Sequence, residues 1–402
     1  MTQVYNKAIQ KTMSINRILG HIKGYQKGAT IVFFAGIHGN ETAGVFALED
    51  VLKTIKPETV NGTIYGVSGN LKALEENQRY LDNDLNRLWT KERLEALQLK
   101  ELFNTEEQEQ NKLLKLIEQI ISSNSGPFYF IDFHTTSSKT LPFITINDAL
   151  INRKFSQLFP VPIVLGIEEY LNGPLLSYIN ELGYVSLGFE SGQHDEKEAI
   201  DNCISFIYLA LVYAEILPKE TILQFQEYYN QLQKNANHLS EIFEIVYLYR
   251  IKEDEVFKMN NGFKSFQSIE KGTILATSNQ QNIESTYNAR LFMPLYQSKG
   301  KEGFFIIKRI KPFFLKLSAG LRHIRFDNLL VLLPGISWYN NDKNVLKVNL
   351  NVAKFYAKSI FHLLGYRNKK LYKTHLLLYK RERTSKNEIY KNQSWYKKSH
   401  NI

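Results

Sequence analysis

Apolar positions along the chain change their rhythm three times. The run GATIVFFAGIHGNETAG (28–44) opens as a β-branched and aromatic strand, breaks at Gly36 and resumes as a helix after Asn40. GTIYGVSGN (62–70) predicts a second strand with a Gly-Asn stop, and residues 91–122 carry helix formers with apolar residues at helical spacing. FYFIDFH (128–134) and VSLGFESG (185–192) are short apolar strands of the buried type, each with its ionisable residues at the carboxyl end. CISFIYLALVYAEIL (203–217) is too short to span a bilayer and reads as a buried helix. Between 241 and 310 the pattern shifts to short alternating strands punctuated by Asn-Gly and Lys-Gly turns. Helical spacing then returns, notably over 345–366, before a Lys/Tyr/Asn-rich tail that is expected to fray.

Strands leading into helices define an α/β class whose sites gather where strands end. The pattern predicts a catalytic α/β domain over 1–220, a small β domain over 221–310 and a basic, mostly helical extension over 311–402. With 402 residues and 44% hydrophobic content, the chain has enough material for a full core. Cys203 is the sole cysteine, which excludes a disulfide framework or a cysteine zinc finger. The first twenty residues lack the apolar core of a signal peptide, so the expectation is a soluble, cytoplasmic protein.

Charge divides the chain again. Residues 306–402 hold 21 Lys+Arg against 4 Asp+Glu, a balance of +17, which leaves −7 for the rest. Lys, Arg and Tyr interleaved in this way would suit nucleic acid or an anionic membrane surface. The plainer expectation is an appendage whose apolar stripe packs on the body or on a second copy in a homo-oligomer. His323, His362, His375 and His400 lie there without metal-ligand spacing.

The chemistry sits in four short segments. His38 and Glu41 are three apart on a loop entering a helix and can face one point. With a distant second histidine they supply the His₂Glu set of a catalytic zinc, the fourth position being left for water. His134 ends a buried strand with Asp132 two residues back, on the same side, where it can orient a metal-bound imidazole. An Asp–His pair closing a strand end is the competing explanation. Arg79, Asn86 and Arg87 can bind an anion, since guanidinium forks match carboxylates; a surface loop of Asp–Arg pairs would look similar. Glu190, among small and apolar residues, has the setting of a general base, or of a helix cap.

Taken in order, GIHGNETAG (36–44), GN (69–70), RYLDNDLNR (79–87), DFHTTS (132–137) and ESG (190–192) resemble the aspartoacylase/succinylglutamate desuccinylase family of zinc carboxypeptidase-like hydrolases. The resemblance extends from about residue 28 to 305 and takes in LFMPLY (291–296). It implies a mixed sheet flanked by helices, a capping β domain and one Zn²⁺ per chain on His38, Glu41 and His134. It further implies that Arg79 polarises the scissile carbonyl, that Asn86 and Arg87 hold the substrate α-carboxylate, and that Glu190 activates water. The substrate so implied is a small N-acyl amino acid.

Two departures bear on specificity. Aspartoacylases read the side-chain carboxylate of acetylaspartate with a Tyr and an Arg upstream of the general base. Here LLSYINELGYVSLGFE (175–190) contains Tyr178 but no Arg. Where their β domain sends a Tyr into the site, this chain offers Gly303 and Phe304, with Tyr296 a little earlier. Acetylaspartate is therefore not the expected substrate. Two other functions fit the same residues: a carboxypeptidase acting on peptide ends, and a non-enzymatic binding protein working through its basic extension.

Overall fold

The computed structural model describes residues 1–353, 358–372 and 374–398. Its centre is a mixed sheet of eleven strands, numbered here in chain order: β1 (Ile18–Lys23), β2 (Gln26–Ala35), β3 (Asn61–Ser68), β4 (Phe128–Thr136), β5 (Phe143–Ile146), β6 (Ile163–Leu165), β7 (Val185–Gln193), β8 (Ile242–Arg250), β9 (Ser268–Ile269), β10 (Ala289–Phe292) and β11 (Glu302–Arg309). In space they run β9-β10-β11-β8-β6-β5-β7-β4-β2-β3-β1. The core strands β3, β2, β4 and β7 are mutually parallel, whereas β5 runs antiparallel to β7.

Strands β2 and β4 are apolar along their central stretches, 31–35 and 128–131, because helices cover both faces. Ile31, Phe33, Ala35, Ile131 and Phe133 face one layer, formed by α1 (Ala43–Leu52) and, on the same face, the later helix Lys197–Tyr213. Val32, Phe34, Phe128 and Phe130 face the other, α2 (Thr105–Ser123) with Leu113, Ile117 and Ile120. Each such side chain, taken from water, contributes roughly 1.5–3 kcal/mol. Gly44 lets α1 lie close on the sheet, since a Cβ there would come within 2.5 Å of Phe133 Cβ. The predicted helix over 91–122 is broken into Lys91–Gln98 and α2, because Asn104 and Glu107 form a reciprocal capping box that starts a new helix. The apolar run at 203–217 is helical as far as Tyr213, within Lys197–Tyr213, labelled α3, and most of it is buried; its last four residues turn away from the helix. Among the described residues no helix is long and apolar enough to cross a membrane.

Between residues 221 and 310 most strands do not close into a sheet of their own. β8 pairs parallel with β6, and β11, β10 and β9 follow it, so this region prolongs the central sheet. Only Phe257–Met259, Ile274–Ser278 and Gln281–Glu284 form a separate three-stranded sheet.

The extension departs from its helical expectation. After α4 (Pro312–His323) it builds a four-stranded antiparallel sheet from Ile336–Trp338, Val345–Asn349, Tyr366–Tyr372 and His375–Lys380. Helical spacing over 345–366 fails at its start because Leu346, Val348, Leu350 and Val352 alternate with Lys347, Asn349 and Asn351, a period of two. Residues 354–357 of that run, like His400, lie outside the described residues. The tail also packs rather than frays as far as Trp395. Tyr390 is fully buried, its hydroxyl donating to Phe128 O and accepting from Val185 N, and Trp395 Nε1 donates to Tyr129 Oη at 3.0 Å. Aromatic area buried against the sheet outweighs the entropy of a polar tail.

What ties the extension to the body is a buried ionic knot. Asp148, just past β5, accepts from Arg153 Nη2 (2.8 Å), Arg322 Nη2 (3.0 Å) and Arg367 Nε (2.8 Å). Arg367 reaches on to Glu244, and Arg322 to Glu382. Burial opposes ionisation of Asp148, yet the three guanidinium groups hold it well below the usual carboxylate range. Removing one partner of such a cluster leaves buried charge uncompensated. Asp148→Ala is therefore expected to cost about 3–5 kcal/mol in denaturant unfolding and to expose the extension to limited proteolysis.

Next to it, Glu168 accepts from Asp148 N at 2.9 Å, and burial, helped by the Asp148 charge, pushes its carboxyl from 4.5 up to about 7. A raised folded-state value means that its contribution is present in full below 4.5 and is lost as pH rises through 7. Glu168→Gln should melt at the wild-type temperature near pH 5 and above it at pH 8, a difference of up to ~3 kcal/mol. Parallel shifts of both proteins across that range would count against this origin.

Candidate metal centre and substrate cleft

The site forms where β2, β4 and β7 end side by side. His38 follows β2 after Gly36, whose φ of +70° turns the chain out of the sheet. Gly39 passes against the backbone of Ala73 so closely that a Cβ would sit 2.0 Å from its carbonyl carbon. This tight turn brings His38 and Glu41 to the same point. His134 and Glu190 lie opposite each other on β4 and β7. All four side chains are buried.

Ligand atoms of His38, Glu41 and His134 all lie within 4.8 Å of one another. Glu41 Oε1 is 2.9 Å from His38 Nδ1, and Oε2 is 3.0 Å from His134 Nδ1. At its other ring nitrogen each imidazole meets a second carboxylate: His38 Nε2 lies 3.0 Å from Asp84 Oδ1, and His134 Nε2 lies 2.7 Å from Asp132 Oδ2. A neutral imidazole has one N–H and can satisfy only one of two flanking carboxylates. With Nε2–H given to Asp84 and Asp132, both Nδ1 lone pairs and the Glu41 carboxylate converge as a three-ligand set for a divalent cation. The residues therefore fit a metal.

Electrostatics agree. Burial opposes charge on Glu41, but His38 and His134 keep its carboxyl well below the ordinary range. Burial likewise works against a charged His134, whereas Asp132 and Glu41 raise its proton affinity well above the usual value. Asp84, despite burial, is held well below its usual range by His38, Arg79 and Arg87. Glu190 goes the other way. Burial, with Glu41 and Asp132 nearby, pushes it up to about 8, and its Oε2 has no partner among the described residues.

The segment 79–87 is folded over this centre by a residue the sequence reading passed over. Glu106, fully buried in the first turn of α2, accepts from the backbone N–H groups of Leu81, Asp82 and Asn83 and from Asn70 Nδ2. The loop so held presents Arg79, whose guanidinium lies 3.2 Å from Glu41 Oε1 and 3.3 Å from Asp84 Oδ2. Asn86 Oδ1 accepts from Leu175 N, which leaves its Nδ2 as the donor it offers the cleft. Arg87 Nη2 is 3.4 Å from Glu302 Oε1, an ion pair that joins this loop to β11.

The cleft is lined by all of the expected residues except Asp132, which stands behind His134. Its far wall is apolar, with Ile146, Ile167, Leu171, Leu176, Met293 and Phe305. Neither tyrosine considered from sequence lines it. Tyr178 packs against Trp89 in the core, and the Tyr296 hydroxyl donates to Asn260 O at 2.7 Å. Gln297 stands at the mouth instead, bonded to Asn40 Nδ2 and near His194, which in turn holds Thr135 Oγ1. His194 follows the end of β7 directly, a strand-end position of the kind that marked His38, yet it falls outside the segments singled out from sequence. Asp84 was visible within DLNR, but its contact with His38 spans 46 residues of sequence and depends on the fold.

Fold and site together define an α/β protein with a candidate metal centre at the carboxyl ends of a mixed sheet. Residues 27–197 match the family described as the succinylglutamate desuccinylase/aspartoacylase catalytic domain. A probable aspartoacylase from Acaryochloris marina is 32% identical over 127 residues, 30% of this chain and 40% of that protein. A succinylglutamate desuccinylase from Photorhabdus laumondii is 40% identical over 62 residues, 15% of this chain and 19% of that protein. The matches thus span less than half of these curated relatives. Among solved structures, a succinylglutamate desuccinylase/aspartoacylase from Rhodobacter sphaeroides superposes with a TM-score of 0.56 at 14% identity, over 77% of this chain and 94% of that one, a likeness of fold.

If Asp84 orients His38, Asp84→Asn should weaken divalent-metal affinity roughly 10–100-fold, while His134→Ala should abolish stoichiometric binding. Metal content by mass spectrometry and competition with a chelator measure both.

Proposed function

We propose that the chain is a zinc-dependent amidohydrolase that releases the amine from a small N-acyl amino acid. The carrying observation is the convergence of His38, Glu41 and His134 beside Glu190, whose Oε2 has no partner among the described residues, and the guanidinium of Arg79. The family of residues 27–197 supports the reaction class. A zinc ion held there, one per chain, would supply Lewis acidity and an acidified water.

The remaining chemistry is the chain's own. Glu190 Oε2, with its raised proton affinity, accepts the proton of the attacking water and returns it to the leaving amine. Arg79, fixed by Glu41 and Asp84, places a permanent positive charge where the tetrahedral oxyanion develops. Arg87 and the Asn86 amide take the α-carboxylate, Arg87 exchanging it for Glu302. The apolar wall then receives an uncharged acyl group or side chain. A second substrate carboxylate would face Glu302 with no further arginine lining the cleft, which disfavours acetylaspartate. Pro294, Leu295 and Gln297 at the mouth favour small substrates over peptide ends, and so this reading over a carboxypeptidase.

Glu190→Gln should lower kcat by roughly 10²–10⁴ while zinc content stays unchanged. Assayed by free-amine release, the wild type is expected to prefer N-acyl amino acids with uncharged acyl groups and side chains over N-acetylaspartate. A zinc-loaded protein that turns over nothing across such a panel would overturn the proposal.

A further inference from the structure

The fully buried side chains of helix α4 are polar. Ser318 Oγ donates to Leu363 O at 2.7 Å, and the Arg322 guanidinium is buried on Asp148 and Glu382. These two residues, one turn apart, fix the helix's rotation. The opposite face therefore carries Phe313, Leu317, Gly320 and Ile324, spaced i, i+4, i+7 and i+11. Phe313 is 68% exposed and Ile324 67%, and a Cβ at Gly320 would meet nothing within 4 Å. The chain that follows continues the apolar surface with Phe326, Leu329, Leu332 and Leu333, all exposed.

Single exposed apolar side chains need no explanation, but a continuous set marks an interaction surface. Its charge identifies the partner. The exposed charges of the segment 311–333 are the cations Lys311, Lys316 and Arg325, with His323 beside them. Its one acid, Asp327, is buried and paired with Lys380 and Arg383. A second copy seated on this face would set cation against cation. A bilayer with anionic headgroups offers both an apolar interior for the Phe, Leu and Ile side chains and counter-charge for the lysines at the rim.

We propose that α4 and the segment after it, residues 311–333, form a docking surface for an anionic phospholipid membrane. The helix lies in the interface with its 313/317/320/324 face in the acyl boundary, and the knot at Asp148 keeps that face outward. The surface is separate from the metal centre, and its function does not depend on the reaction carried out there.

The test is flotation of the full chain with vesicles of phosphatidylcholine plus phosphatidylglycerol and with vesicles of phosphatidylcholine alone. Binding is expected on the anionic vesicles, weakening as salt is added, and on neutral vesicles only at the limit of detection. The triple variant Phe313→Ser, Leu317→Ser and Ile324→Ser alters exposed side chains alone; it should lose roughly tenfold or more in vesicle partitioning while keeping the wild-type melting temperature. Lys311→Gln with Lys316→Gln should remove the preference for phosphatidylglycerol. Absence of binding to anionic vesicles, or binding that the triple variant leaves unchanged, overturns the proposal. So does sedimentation showing a wild-type dimer that the triple variant dissociates, with no vesicle binding by either form.

Discussion

The Glu41 carboxylate is the meeting point of four nitrogens: the Nδ1 atoms of His38 and His134, the Arg79 guanidinium and the Thr135 backbone N–H. Nearly every local feature of the site follows from keeping this buried anion satisfied. The turn at Gly36 and the close pass at Gly39 bring it beneath the strand ends, and Glu106 fastens the loop that supplies Arg79. Asp84 and Asp132 complete the imidazoles from behind. Charge is concentrated here at a density the apolar sheet around it would not tolerate without such mutual pairing. The raised proton affinity of Glu190 is the corollary, because burial and the nearby charges of Glu41 and Asp132 oppose a further carboxylate there.

Much of this was legible in the sequence, for a definite reason. Buried parallel strands are written as continuous apolar runs, so an ionisable residue at the end of one stands out. His38, His134 and Glu190 were found that way, and the ordered segments around Arg79, Asn86 and Arg87 gave the resemblance its weight. Residues whose roles depend on contacts far along the chain were not legible. Glu106 looks like an ordinary acid in a helix's first turn, yet it serves three backbone N–H groups some 23–25 residues earlier. His194, one residue past the end of β7, carried the same strand-end signal but stood beyond the ESG segment that drew notice. The substrate-reading tyrosines proved misleading, since Tyr178 and Tyr296 are engaged with Trp89 and Asn260 and leave the wall to aliphatic residues.

The extension was the least legible part, and composition explains why. Lys-rich sequence with scattered apolar residues is consistent with a helix, a half-exposed strand or a tail. What decides among them is long-range pairing: Arg322 and Arg367 find Asp148, and Lys380 and Arg383 find Asp327. A surplus of positive charge that looked like a free arm is thus partly spent inside the fold. Lys311, Lys316 and Arg325 are among those left on the surface.

Tyr390 gives this arrangement a temporal side. Its hydroxyl links the openings of β4 and β7, more than 200 residues earlier in the chain, and Trp395 closes over Tyr129 on the same spot. A chain synthesised from its amino terminus has the segments of these strands in hand long before the aromatic pair emerges to cover them. The sheet that carries the candidate metal centre therefore lacks its cover at Tyr129 until Trp395, 266 residues further along, has been made.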